Sequence, residues 1–205
     1  MATPENLISN PGFEEGISPW LQYVKDPLLA QIIWDDLDFN SGLRSIKIET
    51  LEAGTGSILQ YISKEKLLEG ATYRIRCARK SIGNFSLFVY EWRAGEIVNA
   101  YRLVVPISAV WAETDWLEFT APTGINWENF ANFQIVCGVS DNSIVSVDDF
   151  EMYLVPAPPP ETGTLTATAA INGTPVSASV EVVDVETYTT PFTIELPVGS
   201  YTLNA

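Results

Sequence analysis

The nine residues 72-TYRIRCARK-80 alternate, with Tyr73, Ile75 and Cys77 on one side of an extended segment and Arg74 and Arg76 on the other. Successive side chains of a strand point to opposite faces of the sheet, so this stretch predicts a strand with a buried face and a solvated one. The same period continues on either side. In 44-RSIKIET-50, Ile46 and Ile48 share a face; in 57-SILQYIS-63, Ile58, Gln60 and Ile62 oppose Leu59 and Tyr61. Further runs follow at 84-NFSLFVYEW-92, 115-DWLEFTAP-122, 132-NFQIVCGV-139 and 149-DFEMYLV-155. Only 63-SKEKLLEG-70 reads as a helical turn. Short alternating runs separated by turn residues predict an all-β antiparallel sandwich.

One boundary stands out. The stretch 155-VPAPPPETG-163 cannot continue a strand or a helix and favours a stiff, extended spacer. It predicts a large domain over residues 1–155, a proline-rich linker over 156–163 and a small β domain over 164–205. The small part carries four expected strands, TLTATAAI, VSASVEVVD, FTIELP and SYTLNA. So short a piece buries a modest core, and it is expected to be completed by further sequence or by a partner's strand.

Composition narrows the chemistry. The chain holds 26 acidic and 11 basic residues, a net charge of −15, and no histidine. Phosphate is repelled by such a chain, so nucleic acid and anionic membrane are poor partners, whereas cations are good ones. Without histidine, Ser-His-Asp and Cys-His catalysis are impossible within the chain. Carboxylate chemistry stays open through Asp35, Asp36, Asp38, Glu91 and Glu96, although adjacent acids on a turn are more often a solvated face. No apolar run is long enough to span a bilayer, and the first ten residues lack the pattern of a signal peptide. Cys77 and Cys137 each fall on an inward strand face, open to pairing as a disulfide or to burial as two thiols.

Six stretches occur in a telling order: 6-NLISNPGFEEG-16, Trp20, 41-SGLRSIKIE-49, 67-LLEGATYRIRCARK-80, 115-DWLEFTAP-122 and 146-SVDDFEMYL-154. Together they resemble the carbohydrate-binding modules of the family four, nine and twenty-two type, galactose-binding-like jelly rolls. The resemblance implies a structural calcium tying the N-terminal segment to the last strand through Glu14, Asp148 and backbone oxygens near Asn10 and Ser41. The competing reading has Glu14 and Asp148 capping turns or pairing with Arg44.

For ligand binding, exposed aromatics that stack on sugar faces are sought among Trp34, Tyr61, Tyr90, Trp92, Tyr101, Trp111 and Trp127. The sites favoured are Tyr61, Tyr90, Trp92 and Trp34, with Gln60 where the resembled family often has a cleft glutamine. Periodicity does not decide which face of 84-NFSLFVYEW-92 is buried. Trp20 and Trp116 match core tryptophans of the family. The stretches 163-GTLTATAAINGTPVSASVEVVD-184 and 189-TTPFTIELPVGSYTLNA-205 resemble PEGA and carboxypeptidase-regulatory-like domains. The resulting expectation is a non-catalytic extracellular carbohydrate-binding or adhesion module. The alternative is a structural subunit of a cell surface, filament or virion whose partners are neighbouring protein subunits.

Overall fold

The computed structural model describes residues 5–156, 162–171, 174–176, 179–182, 186–197 and 203–204. The chain forms two compact units, Met1–Pro156 and Ala157–Ala205.

The first unit runs β1 (Leu21–Val24), β2 (Ala30–Asp35), β3 (Ser45–Thr50), β4 (Thr55–Ser63), a 3-10 turn (Lys64–Lys66), β5 (Thr72–Arg93), β6 (Glu96–Val105), β7 (Ser108–Glu113), β8 (Leu117–Thr120), one helical turn α1 (Ile125–Glu128) and β9 (Phe130–Leu154). It is a jelly-roll β-sandwich. Two strands make both of its layers. β5, of 22 residues, and β9, of 25, pair antiparallel along most of their length. In one layer, Asn84–Arg93 and Phe130–Ser140 are flanked by β4 and β1 on one side and by β6 on the other. In the other, Thr72–Ile82 and Ile144–Leu154 are flanked by β3 and β2 and by β7 and β8.

The strands change layer at Gly83 (φ +100°) and at Asp141 and Asn142 (φ 52° and 50°). A side chain at position 83 would place its Cβ 2.3 Å from Ser143 Oγ, so glycine meets both the backbone angle and the close approach. Buried Ser143 stitches the bend: its Oγ accepts the Asn84 N–H at 2.7 Å and donates to the Ser140 carbonyl at 2.6 Å.

The core lies between the layers, with Ile46, Ile48, Ile75, Val145 and Val147 from one and Ile58, Leu87, Val89, Ile135 and Val139 from the other. Tyr73, Ile75 and Cys77 are buried as the alternation requires. Trp20 joins them, its ring 4.6 Å from Phe150 and 5.5 Å from Phe13. Trp116 does not: it is half-buried on the outside, with the guanidinium groups of Arg74 and Arg76 over its ring at 4.4 and 4.5 Å. Leu117 and Phe119 take the inward positions of β8, so alternation turns Trp116 outward, where the two arginines cover it. Cys77 and Cys137 come together in the core as free, buried thiols.

In the second unit, β10 (Thr162–Ala167) pairs with β15 (Phe192–Pro197). The short β11 (Ala169–Ile171) pairs with β12 (Thr174–Val176), and β13 (Ser179–Val182) lies between β14 (Glu186–Thr189) and β16 (Leu203–Asn204). All these pairs are antiparallel. The run read as one strand, TLTATAAI, is broken at Thr168 into β10 and β11. Residues 157–161 of the expected linker lie outside the described residues.

Candidate functional site

Burial on one side of the β1–β4–β9–β5–β6 layer decides what the other side presents. Ile58 and Ile62 of β4, Phe133, Ile135 and Cys137 of β9, and Leu87 and Val89 of β5 all enter the core. The intervening residues therefore face outward. In register across four strands these are Tyr61, Gln134, Tyr90 and Ala100; one step along, Leu59, Val136, Phe88 and Arg102; and at one end Ser63, Asn132 and Trp92.

The periodicity of β5 that was ambiguous in sequence is settled here. Phe85, Leu87 and Val89 are core, and Phe88, Tyr90 and Trp92 form the outer row. The rings of Phe88 and Tyr90 stack at 5.4 Å and 11°. Gln134 Nε2 donates to Tyr61 Oη at 2.9 Å, and Gln134 Oε1 accepts from Trp92 Nε1 at 3.2 Å, so one carboxamide fixes two aromatic rings. The Arg102 guanidinium lies 5.3 Å from the Phe88 ring and donates to Ser86 Oγ at 3.1 Å. Burial raises the Tyr90 phenol above its usual value although Arg102 acts in the opposite sense, so it stays protonated at neutral pH. The face runs into a hollow of about 530 Å³ lined by Phe88, Arg102, Ser86, Val104, Gly138 and Ser140.

Tyr61, Tyr90 and Trp92 are thus brought onto one face. Gln60 and Trp34 are not. Gln60 points inward, only 4% exposed, and clasps the N-terminal segment: its Oε1 accepts the Ser9 N–H and its Nε2 donates to the Ser9 carbonyl, both at 2.9 Å. Trp34 is at the edge of the other layer, its Nε1 donating to the Phe13 carbonyl at 2.9 Å and its ring under Arg44 at 4.8 Å. Tyr101 packs on Phe119 at 5.9 Å, Trp111 donates to Asp38 at 2.9 Å, and Trp127 stacks on Phe130 at 5.4 Å. Sequence reading missed Gln134, Phe88 and Arg102. The alternation that exposes Tyr61 also exposes Gln134 once β9 is paired with β4, but that pairing is not local information.

The acids weighed for catalysis are scattered. Asp38 accepts from Lys80 and Trp111, Asp36 pairs with Arg44 at 3.0 Å, and buried Glu91 pairs with Arg93 at 2.5 Å on the inward side.

A second polar corner joins Glu14, Asp148 and Ser41. Asp149 (φ 46°) interrupts the β5–β9 register and turns Asp148, fully buried, toward the loop between β2 and β3. Asp148 Oδ2 accepts the N–H groups of Asn40 and Ser41 at 2.9 and 3.2 Å, and its Oδ1 accepts that of Asp149 at 2.8 Å. Glu14 Oε1 accepts those of Leu43 and Arg44 at 2.9 and 3.2 Å. A Cβ at Gly42 (φ +63°) would lie 2.2 Å from Glu14 Oε1. Ser41 is a donor twice, through N–H to Asp148 and through Oγ to Asp149 at 2.8 Å. The Asn10 carbonyl accepts from Trp20 Nε1 at 3.2 Å. Burial, with Asp149 adding to it, pushes the Asp148 carboxyl up to about 6. Among the described residues none of the salt bridges reaches Glu14, Asp148 or Asp149, and no three His, Cys, Asp or Glu side chains form a ready metal cluster.

No protein-family model matches the chain, and no curated protein matches it. Solved structures do. The enzymatically active domain of bacteriophage CBA120 tailspike protein 4 superposes with a TM-score of 0.57 at 16% identity over 73% of this chain, which spans only 21% of that one. The CBM22-1 xylan-binding domain of Paenibacillus barcinonensis Xyn10C gives 0.54 at 14% identity, covering 77% of this chain and 99% of that domain. The carbohydrate-binding module TmCBM61, in complex with β-1,4-galactotriose, gives 0.51 at 16% identity, covering 74% and 99%. At these identities the likeness is one of fold: this chain has the jelly-roll sandwich of the carbohydrate-binding modules.

Proposed function

We propose that the protein is a non-catalytic, extracellular polysaccharide-binding module that holds a glycan chain along the outer face of the β1–β4–β9–β5–β6 layer, with calcium as a structural ion at the Glu14–Asp148 corner. The observation that carries the reading is the row of Tyr61, Tyr90 and Trp92 with Gln134 fixed between two of them. Aromatic faces meet the CH-rich faces of pyranose rings, and held amides read hydroxyls. Solved structures of the same fold include modules described as xylan-binding and as bound to galactotriose.

Hydrolysis of a glycosidic bond is canonically carried out by two carboxyl groups flanking it. The residues of β1, β4, β9, β5 and β6 that face outward here include none. Binding rather than cleavage is what this face is equipped for.

The calcium proposal rests on charge. The carboxylates of Asp148 and Asp149 lie near Gly12, where a Cβ would be 3.4 Å from Asp149 Oδ1, 3.6 Å from Asp148 Oδ1 and 3.9 Å from Glu14 Cγ, and the donors these three acids meet are uncharged: backbone N–H groups, with Asn40 Nδ2 and Ser41 Oγ on Asp149. Glu14, Asp148 and Asp149 would hold the ion, completed by backbone oxygens, which suits calcium's six to eight oxygen ligands. The ion would tie the N-terminal segment to β9.

Affinity electrophoresis through gels containing xylan, galactan or uronate polymers tests the function. Retardation of the native protein, lost in Tyr61→Ala and Trp92→Ala, is the expected result. Unretarded migration through every polymer would refute it.

A further inference from the structure

The glycan face differs in charge from the rest of the molecule. The chain carries 26 acidic residues and a net charge of −15, yet the five strands turn outward a set of apolar and polar side chains that includes Tyr61, Gln134, Phe88, Tyr90, Trp92 and Arg102. One of them is charged, and it is Arg102. Glu91 lies on the inward side, 2% exposed and paired with Arg93.

Arg102 is held in place without being neutralised. It stands opposite Phe88 in register, 5.3 Å over that ring, and gives Nε and Nη2 to Ser86 Oγ at 3.3 and 3.1 Å. Among the described residues no carboxylate pairs with it, in contrast to Arg44, Arg76 and Arg93. The stack of Tyr90, Phe88 and Arg102 sets its plane, and it lines the 530 Å³ hollow with N–H donors to spare. A planar guanidinium so fixed matches a carboxylate, and its ordering is already done before a ligand arrives. Among the residues that line the hollow, Arg102 is the one that carries a charge.

We infer that the face is selective for acidic polysaccharide, with Arg102 receiving the carboxylate of a uronate residue while the aromatic row holds the chain. This rests on the glycan-binding reading above and adds the chemical class of the ligand.

Matched polymers separate the two. The intact protein is run through gels containing glucuronoxylan or polygalacturonate and through gels containing the same polymers after reduction of their carboxyl groups to alcohols. The expected result is affinity about tenfold higher for at least one uronate form than for its reduced partner, the size of one charge-assisted hydrogen-bonded contact. This preference should fade as salt is raised and should vanish in Arg102→Gln. Arg102→Lys should recover part of it. Because Arg102 is exposed, an unchanged melting temperature is expected and checks that the variant is folded. Equal or better binding of the reduced polymers by the native protein overturns the Arg102 assignment and leaves the glycan-binding face standing. Retention of the preference in Arg102→Gln does the same. Absence of binding to all four polymers overturns both.

Discussion

Gln134 Nε2 donates to Tyr61 Oη at 2.9 Å, between residues that face each other in register on β9 and β4. The same carboxamide accepts from Trp92 on β5, so three strands are cross-linked on the outer face by one side chain. Replacing it by alanine frees two rings that would otherwise meet a sugar already oriented. Gln134→Ala is expected to weaken glycan binding about tenfold and to cost about 1–2 kcal/mol of stability, the net value of two hydrogen bonds. Isothermal titration and urea melts measure the two effects separately; unchanged affinity would show that the rings need no support.

Tyr61 and Trp34 are equally exposed, at 46%, and are expected to behave oppositely. Tyr61→Ala removes a stacking surface and should abolish most binding with a stability change within about 1 kcal/mol. Trp34→Ala should leave binding unaltered and destabilise the fold, since its indole holds the Phe13 carbonyl and carries Arg44. Gln60→Ala belongs with Trp34, because it releases Ser9 rather than touching the face. Loss of binding in Trp34→Ala with native stability would move the site to the other layer.

The Asp148 carboxyl titrates near 6 in the folded metal-free protein against 3.8 normally. A raised carboxyl favours the protonated folded state, so its cost is absent below about pH 4, grows as pH rises towards 6, and is fully present above that. Two units correspond to about 3 kcal/mol at most. In chelator, stability at pH 5 should therefore exceed stability at pH 7, as far as this group is concerned. With millimolar calcium the melting temperature at pH 7 should rise, and this pH dependence should flatten. A melting temperature at pH 7 identical with and without calcium in verified metal-free protein would dismiss the ion.

Cys77 and Cys137 are adjacent and buried, and burial together with the neighbouring thiol pushes Cys137 well above the usual thiol range. Thiolate is the reactive form, so native reduced protein should resist a disulfide reagent such as DTNB and release two thiols after unfolding in guanidinium. Rapid reaction of the native protein would place one of them at the surface. Export to an oxidising compartment would let the neighbours join as a disulfide, seen as zero titratable thiols.

The chain's own pattern determined the strands. Alternation in 72-TYRIRCARK-80 and 57-SILQYIS-63 fixes which side chains enter the core wherever one face must be buried, because strand period is a local property and apolar burial dominates the energetics. That is why Tyr61 was legible as exposed, and why Ile58 and Ile62 were legible as core. Tertiary structure decided everything that depends on which strand lies beside which. The outer row of β5 could be told from its inner row only once β9 and β6 flanked it. Gln134 and Arg102 acquire their roles only through registers with Tyr61 and Phe88, far away in sequence. The two arginines that cover the outward Trp116 reach it from another strand, and Asp148 met the Asn40 N–H across 108 residues. Local alternation is written into neighbouring residues; a binding face is written into the pairing of distant ones, and that pairing is chosen by the packing of the whole sandwich.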